Sequence, residues 1–303
     1  MHYSNTKRRG LQMKIIVPTN NKGGVGKTKI SILLAEYFSS IKKQKVLILD
    51  FDPQCNFSRR FLKMEVDPNA PQGYIPPIHP DYNPNDPDED PDWDGRSSIA
   101  NIFFGEPVIP YPTHIENLDI APAYADKLLL AEAQTRSEIV DKVHKRLEAF
   151  LNNNEVQSEY DIVIVDTAPS KGPLTISAIR AATHIIIPSV MEAQPIQGIF
   201  GMLQLWMQES LKREQDRPLN LIGILPNMFR QNNLHKDMLE GLKSNPSIEQ
   251  YIIPVKLGQR IAFAEVDAEG AIPRTIFDLP ANNAAKIEAM SLCKYVENSL
   301  SAQ

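Results

Sequence analysis

Cysteines and long apolar runs are both scarce in this 303-residue sequence. Its two cysteines, Cys55 and Cys293, form no CxxC pair. This excludes a zinc site of the usual spacing and indicates two buried or idle thiols in the cytosol. No run approaches the ~18 apolar residues that are needed to cross a bilayer. The basic start, MHYSNTKRRGLQ, is not followed by the apolar core of a secretory signal. We therefore expect a cytoplasmic protein.

An excess of positive charge is also lacking. The chain has 32 Lys and Arg against 37 Asp and Glu, a net charge of −5. This balance argues against wholesale attraction to nucleic acid, although a local basic face is compatible with it.

Basic residues are missing altogether from residues 67–95, which hold eight prolines and eight acidic residues. Proline at this density stops helices and central strands. The composition predicts an exposed acidic insertion, partly disordered. Both a passive surface insertion and a partner-binding element are open interpretations.

The apolar runs that are present are short and rich in Val and Ile, and helical patterns such as those at 27–43 and 196–214 separate them. Strands of this kind, without polar alternation, indicate a parallel sheet covered on both faces. We predict one α/β domain over 14–303, with a mostly parallel twisted sheet, after a short basic extension at 1–13. The predicted strands are 14–18, 45–51, 161–166, 184–190 and 221–227.

The first predicted strand runs into the glycine-rich stretch TNNKGGVGKTKIS, residues 19–31, and then into a helix. Its glycines let the backbone turn sharply and point N–H groups at one spot, where the helix N-terminus adds partial positive charge. Such a loop binds phosphates, with Lys27 at the β- and γ-phosphates and the Thr28 hydroxyl on Mg²⁺. The common pattern requires glycine at position 21, where this chain has Asn21. The loop is therefore a variant, and together with the parallel sheet it predicts a fold of the P-loop NTPase type.

With Lys22 the run reads KGGVGKT, which resembles the deviant phosphate loop of the ParA/MinD superfamily. The stretch DFDPQCN at 50–56 resembles the D-x-D-P-Q motif of that family. VIVDTAPSKGPLT at 163–175 resembles its Walker B strand and switch segment, and weaker similarity continues through 271–290. The three motifs fall at the carboxyl ends of predicted strands, where open parallel sheets bind ligands.

The resemblance implies ATP and Mg²⁺ as cofactors and gives each motif residue a role. Lys22 reaches across a dimer to the phosphates of the partner subunit's nucleotide, and Asp52 orients the attacking water. The metal is held by Thr28 and, through water, by Asp166, while Asp50 supports the metal and the loop. The implied nucleotide-binding residues are Lys22, Gly23, Gly24, Val25, Gly26, Lys27, Thr28 and, at the base, Asn227.

One position departs from the family pattern. Family members commonly carry a second hydroxyl residue after the metal-binding threonine, and this chain has Lys29 there. The expected hydroxyl contact to the α-phosphate is therefore missing, or the charge of the lysine replaces it.

The branch of the superfamily can be chosen from further absences. Residues 167–180 contain no cysteine, which excludes the nitrogenase iron proteins, and the lack of a CxxC excludes the cluster-assembly relatives. The tail MSLCKYVENSLSAQ is not the basic amphipathic helix with which MinD-type proteins bind membranes. The DPQ sequence after Asp52 favours the ParA/Soj DNA-partitioning branch.

The resemblance to this branch implies a Mg²⁺-dependent ATPase that dimerises with ATP and acts in plasmid or chromosome segregation. In its ATP form such a protein binds DNA without sequence preference and is associated with the nucleoid, and a ParB-like centromere-binding partner stimulates hydrolysis. Candidate DNA contacts are Lys212, Arg213 and Arg260. Two alternatives are a cargo-positioning ATPase that does not use DNA and a nucleotide-switched binding protein with negligible turnover.

Overall fold

A seven-stranded sheet forms the centre of the molecule, with strand order β5-β6-β2-β7-β1-β8-β9. The computed structural model describes residues 12–68, 73–85, 93–134, 137–268 and 275–301. A separate two-stranded antiparallel sheet is formed by β3 and β4. The strands are β1 Lys14–Pro18, β2 Val46–Phe51, β3 Glu65–Val66, β4 Tyr74–Ile75, β5 Tyr111–Pro112, β6 Leu118–Ala121, β7 Ile162–Thr167, β8 His184–Val190 and β9 Asn220–Asn227.

The prediction of a mostly parallel sheet is confirmed. Neighbouring strands of the large sheet pair in parallel, except that β5 pairs antiparallel with β6 at one edge. The five predicted strands correspond to β1, β2, β7, β8 and β9, each within one residue at either end. The strands β5 and β6 were not predicted, because at two and four residues they are too short to show a strand pattern in the sequence.

Helices cover both faces of the sheet, as the apolar strands require. Alternate strand residues enter different cores: Leu47 and Leu49 of β2 pack into one, and Val46 and Ile48 into the other. The first core is covered by α4, α5, α7, α8 and α9, and the second by α1, α2 and α11. The helices are α1 Lys27–Glu36, α2 Asn56–Phe61, α3 Asn101–Phe104, α4 Ala125–Glu132, α5 Ser137–Leu151, α6 Asn154–Glu159, α7 Pro173–Ala181, α8 Ala193–Ser210, α9 Asn233–Lys243, α10 Ile261–Glu265 and α11 Ala284–Ser301.

Several residues of the proline-rich insertion are packed, so the prediction of an exposed loop is wrong for those residues, whereas residues 80, 81 and 83–85 are exposed as expected. His79 is 2% exposed, and its ring lies 4.5 Å from that of Tyr111 in the edge strand β5. Trp93 packs on His79 and donates its indole N–H to the carbonyl of Arg96 at 2.8 Å. Exposure was predicted from the many prolines and acidic residues. The packing contacts are made by the aromatic rings of the segment, which that prediction did not consider. Residues 69–72 and 86–92 lie outside the described residues, as do residues 1–11 of the basic extension.

The two cysteines are buried and free, as expected from their spacing. Cys55 begins the turn into α2, and Cys293 lies within α11 in the second core. Within the described ranges no helix combines the length and the apolar character that crossing a membrane requires.

Candidate active site

The predicted motif residues converge at the carboxyl edge of the sheet. The strands β1, β2 and β7 are adjacent and parallel, so the segments that follow them emerge side by side. Asp50 of β2 and Asp166 of β7 are register partners. The glycine-rich loop follows β1 at the same edge and leads into α1. One crevice therefore receives the loop and both carboxylate motifs, as expected for ligand sites in open parallel sheets.

The glycine-rich loop has the backbone that a phosphate loop needs. Gly24 and Gly26 have φ angles of 70° and 87°, a left-handed conformation that favours glycine. Gly26 has a second constraint, because a Cβ there would lie 2.3 Å from Nδ2 of Asn227. Gly26 directly precedes α1, and no side chain in the described part of the chain caps it. The N–H groups at this helix end are therefore available to an anion.

Asn227, the last residue of β9, holds the loop in this conformation. Its side-chain nitrogen donates to the carbonyl of Val25 at 2.8 Å, and the side chain is 4% exposed. The sequence analysis expected this residue at the nucleotide base. The structure shows it as a clamp on the loop, and a contact with the base stays a prediction.

Lys27 lies inside the loop close to both site carboxylates. Its ammonium donates to the carbonyl of Lys22 at 3.2 Å and is 7% exposed. Burial lowers the pKa of Lys27, while the negative charges of Asp166 and Asp52 oppose that effect. The negative charges of these two aspartates therefore favour the ionised form of the Lys27 ammonium, and the negative charge of a bound phosphate would favour it further.

Lys22 is partly exposed at the start of the loop, and its backbone is anchored. Its N–H donates to Oδ1 of Asn20 at 3.0 Å, and the amide nitrogen of Asn20 donates to the carbonyl of Pro188 at 2.9 Å. A Cβ added at Gly198 of α8 would lie 2.9 Å from Cγ of Lys22, so this glycine makes room for the lysine stem. The sequence analysis did not identify Asn20 or Gly198, since both act through contacts across the fold.

Asp166 is surrounded by hydroxyl groups from α1. Thr28 donates to one of its oxygens at 2.6 Å, and Ser31 donates to the other at 3.0 Å. Burial is the main cause that raises the pKa of Asp166 to about 7, and the two hydroxyls oppose it. A buried carboxylate next to a hydroxyl is a suitable donor set for Mg²⁺, which prefers oxygen ligands and retains water. Ser31 was missed, although its position three residues after Thr28 places it on the same helix face.

Asp50 accepts hydrogen bonds from the protein on both of its oxygens, and its expected support of the metal stays a prediction. Its Oδ2 accepts the N–H and the hydroxyl of Ser58 at 2.8 and 2.7 Å, and its Oδ1 accepts the N–H of Asp52 at 3.1 Å. Burial and the charge of Asp166 raise the pKa of Asp50 to about 8. Both oxygens are thus engaged with the protein, and Asp50 orders the turn that carries Asp52. Asp52 is 8% exposed and accepts the N–H of Gln54 at 3.0 Å.

Lys29 points away from the glycine-rich loop. Its ammonium donates to the carbonyl of Phe263 at 3.0 Å and to the carboxylate of Asp267. The charge of Lys29 therefore ties α1 to the segment at α10. In this structure it does not replace the missing hydroxyl at the α-phosphate position.

The three candidate DNA contacts lie at two different edges of the sheet, and their contact with DNA stays a prediction. Lys212 and Arg213 lie between α8 and the start of β9, at the amino edge of the sheet. Arg260 follows the carboxyl end of β9, where Gln259 donates its N–H to the carbonyl of Phe229. Lys212 pairs with Glu209 and Arg260 with Glu288, both at 2.5 Å.

Arg213 is the least available of the three. Its guanidinium donates to the carbonyls of Ile179, Arg180 and Ala182, at 3.1, 2.6 and 3.0 Å, and so caps the carboxyl end of α7. Cationic side chains stabilise helix ends in this position. Arg213 therefore has a structural contact set that accounts for its place in the sequence.

A glycine-rich loop after β1 and acidic residues in β2 and β7 lie on a mostly parallel sheet, which is the fold of the P-loop nucleoside triphosphatases. Comparison with known proteins gives the family. Residues 13–216 match the family model described as an AAA domain. The chain belongs to the ParA/MinD superfamily, in its ParA/Soj branch.

Individual relatives support this placement. The chain is 27% identical to the sporulation initiation inhibitor protein Soj of Bacillus subtilis, over 90% of this chain and 94% of that protein. It is 26% identical to the chromosome-partitioning ATPase Soj of Thermus thermophilus, over 76% of this chain and 75% of that one. A putative plasmid partition protein of Borrelia burgdorferi, solved with AMPPNP, has the same fold at a TM-score of 0.65 and 19% identity, covering 95% and 99%. The Thermus relative is thus named for chromosome partition, and the Borrelia structure shares the fold.

Proposed function

We propose that this protein is a Mg²⁺-dependent ATPase of plasmid or chromosome partition, which dimerises with ATP and in that form binds DNA without sequence preference. The observation that supports it best is the carboxyl edge of the sheet, where the hydroxyl of Thr28, next to the glycine-rich loop, donates to Asp166 at 2.6 Å. Partly exposed Lys22 stands at the rim of the same loop.

The site residues fit a magnesium–nucleotide complex. The free N–H groups at α1 and the Lys27 ammonium would bind the phosphates. The Thr28 hydroxyl would turn from Asp166 to the metal, and Asp166 would hold the metal through water. Bound Mg²⁺ would supply charge neutralisation between the β- and γ-phosphates. Its positive charge would also keep Asp166 ionised, against the burial that raises the pKa of this group.

Hydrolysis needs an oriented water and stabilisation of the phosphoryl charge. Asp52 would orient the water, and the turn ordered by Asp50 and Ser58 supports this role because it fixes the Asp52 backbone. In the proposed dimer Lys22 contributes its charge to the phosphates of the partner subunit's nucleotide, as an arginine finger does in other P-loop enzymes.

The cellular setting is part of the proposal. The protein acts in the cytoplasm on the nucleoid, with non-specific DNA as the surface for its ATP dimer. A ParB-like centromere-binding protein is the proposed partner that stimulates hydrolysis. The partition names of the Soj and Borrelia relatives support this choice over a cargo-positioning ATPase of the same fold.

Two measurements test the ATPase and dimer. Lys27→Ala should lower ATP affinity by about 100-fold or more in calorimetry, since a charge-assisted contact to the phosphates is lost. Asp52→Ala should retain ATP binding, lose turnover, and run as a dimer in size-exclusion chromatography with ATP and Mg²⁺. Lys243→Ala, an exposed lysine that pairs with Glu240 on α9, is the control. Wild-type protein that binds ATP but turns over none would instead support a nucleotide-switched binding protein.

A further inference from the structure

The loop between β7 and α7 is anchored by a side chain from another helix, that of Glu132 at the end of α4. Its Oε2 accepts the backbone N–H of Leu174 at 3.0 Å, and its Oε1 accepts the hydroxyl of Ser170 at 2.8 Å. Ser170 lies in the loop, and Leu174 lies in the first turn of α7. One carboxylate therefore fixes both the loop and the start of the helix that follows.

The start of α7 depends on this outside group. The helix begins at Pro173, and its N-cap, Gly172, has no side chain that could cap it. The first N–H groups of a helix have no partners within the helix, and its N-terminus carries partial positive charge. Glu132 satisfies one of these donors and places a negative charge at the favourable end.

Gly172 gives the carboxylate its space. A Cβ at this position would lie 1.9 Å from Oε1 of Glu132. The φ angle of Gly172 is −76°, which any residue adopts, so the requirement is room for the carboxylate and not a backbone conformation. Glycine at 172 and glutamate at 132 are thus two halves of one contact.

The anchored loop also lies next to the glycine-rich loop. Pro169 is the neighbour of Gly23 on this side, since a Cβ added to Gly23 would lie 4.0 Å from Cγ of the proline. Ser170, the next residue, is bound by Glu132 and lies 3.0 Å from the hydroxyl of Thr175. The position of the loop beside the nucleotide site is therefore restrained from α4.

We propose that Glu132 is a positioning residue, which holds residues 168–172 against the phosphate loop so that ATP turnover depends on it more than ATP binding does. The inference rests on the proposed ATPase function. It goes further by connecting α4, which lies between β6 and β7 in the chain, to the catalytic edge of the sheet.

Hydrogen exchange of the nucleotide-free protein tests the contact without relying on activity. Glu132→Ala should raise exchange of the Leu174 amide by about fivefold, as expected when a helix end loses its capping group. Exchange in β1 and β7 should be unchanged. Gly172→Ala should reproduce the effect from the other side of the contact, because it displaces the carboxylate. Glu106→Ala, which removes a carboxylate paired with Lys127, is the control.

Kinetics then test the positioning role. In Glu132→Ala and Gly172→Ala, kcat should fall about tenfold while KM for ATP stays within about twofold, because only the transition-state geometry is disturbed. Glu132→Gln keeps one acceptor oxygen and should recover part of kcat. Unchanged exchange at Leu174, or an equal loss of ATP affinity and kcat, would overturn the inference. Absence of turnover in the wild type would instead count against the proposed function, and the exchange result would still decide the contact.

Discussion

Lys22 and Lys27 lie five residues apart in one loop but in different surroundings. Lys27 is 7% exposed and faces Asp52 and Asp166. Lys22 is partly exposed, with its backbone fixed by Asn20 and its stem beside Gly198. The two lysines therefore differ in position. Lys27 lies inside the candidate site of its own subunit, and Lys22 lies at the rim of that site, where it can contact another molecule.

Mixing variants can separate these positions. Lys22→Ala should bind ATP with nearly wild-type affinity but hydrolyse it poorly. Mixed with Asp52→Ala, it should regain turnover, because the ATP of the Lys22→Ala subunit then has its own Asp52 and its partner's Lys22. Turnover in an equimolar mixture should exceed that of either variant alone. A mixture no more active than its components would place Lys22 in its own subunit's chemistry.

At the scale of elements, the strands and the glycine-rich loop could be predicted because their signals are local. The runs of Val and Ile mark β1, β2, β7, β8 and β9, and Lys27 and Thr28 follow the loop in sequence. Ser58 and Glu132 could not be predicted in this way. Each meets its partner through the sheet topology, and a lone Ser or Glu on a helix gives no signal of its own.

The contacts between the edge strand β5 and the insertion are another feature that the sequence did not predict, and their contribution to stability can be measured. Tyr111 of β5 is 1% exposed, and its hydroxyl donates to the carbonyl of Pro77 at 2.8 Å and accepts the N–H of Ser97 at 2.9 Å. Tyr111→Phe should lower the free energy of unfolding by about 1–3 kcal/mol, because two buried polar groups lose their partner. Tyr82→Phe in the insertion is the matched control. Equal unfolding midpoints in urea for both variants would show that the insertion adds little stability.

The buried His184 in β8 makes stability depend on pH. It is 1% exposed, and burial lowers its pKa to about 4, while the unfolded chain has the ordinary value of 6.5. Between these values this histidine binds more protons in the unfolded state, so its contribution to stability falls as pH decreases from about 6.5 towards 4. The expected loss of this contribution at pH 5.5 is about 1.2 kcal/mol relative to pH 7.

The comparison with His184→Asn isolates this contribution. Asp50 and Asp166 have pKa values of about 8 and 7, above their unfolded values, and act in the opposite direction. They are present in both proteins and cancel in the difference. Between pH 7.5 and 5.5, the free energy of unfolding in urea should therefore change less favourably in the wild type than in the variant, by about 1.3 kcal/mol. An identical change in the two proteins would show that His184 is not the group responsible.

At the scale of the whole molecule, the two ends of the sheet would lie at different distances from the partner subunit in the proposed dimer. The candidate nucleotide site is at the carboxyl edge, and Arg260 lies beyond the same end of β9. Lys212 lies at the amino edge, next to the start of β9. If two subunits face each other across two nucleotides, their Arg260 side chains lie near the seam, and their Lys212 side chains lie at the far ends.

This arrangement makes a prediction about DNA binding that the sequence alone did not allow. A duplex placed across the interface of the proposed ATP dimer can contact Arg260 of both subunits at once. The two Lys212 side chains lie at opposite ends of the dimer, so one straight duplex cannot contact both. Since the salt dependence of binding grows by about 0.9 per phosphate contact, Arg260→Ala should flatten the log–log salt slope by up to about 2 per dimer. Lys212→Ala should leave the slope nearly unchanged.

The measurement is fluorescence anisotropy with the Asp52→Ala dimer, ATP and Mg²⁺, on duplexes of unrelated sequence. Both single changes are made in that background, and Lys243→Ala serves as the neutral charge control. The effect of Arg260→Ala should be equal on all duplexes, because contacts to phosphate carry no sequence information. A flatter slope with Lys212→Ala alone would place the DNA at the amino edge and contradict the seam geometry. A dimer without DNA affinity even at low salt would remove the partition proposal and favour a cargo-positioning ATPase on the same fold.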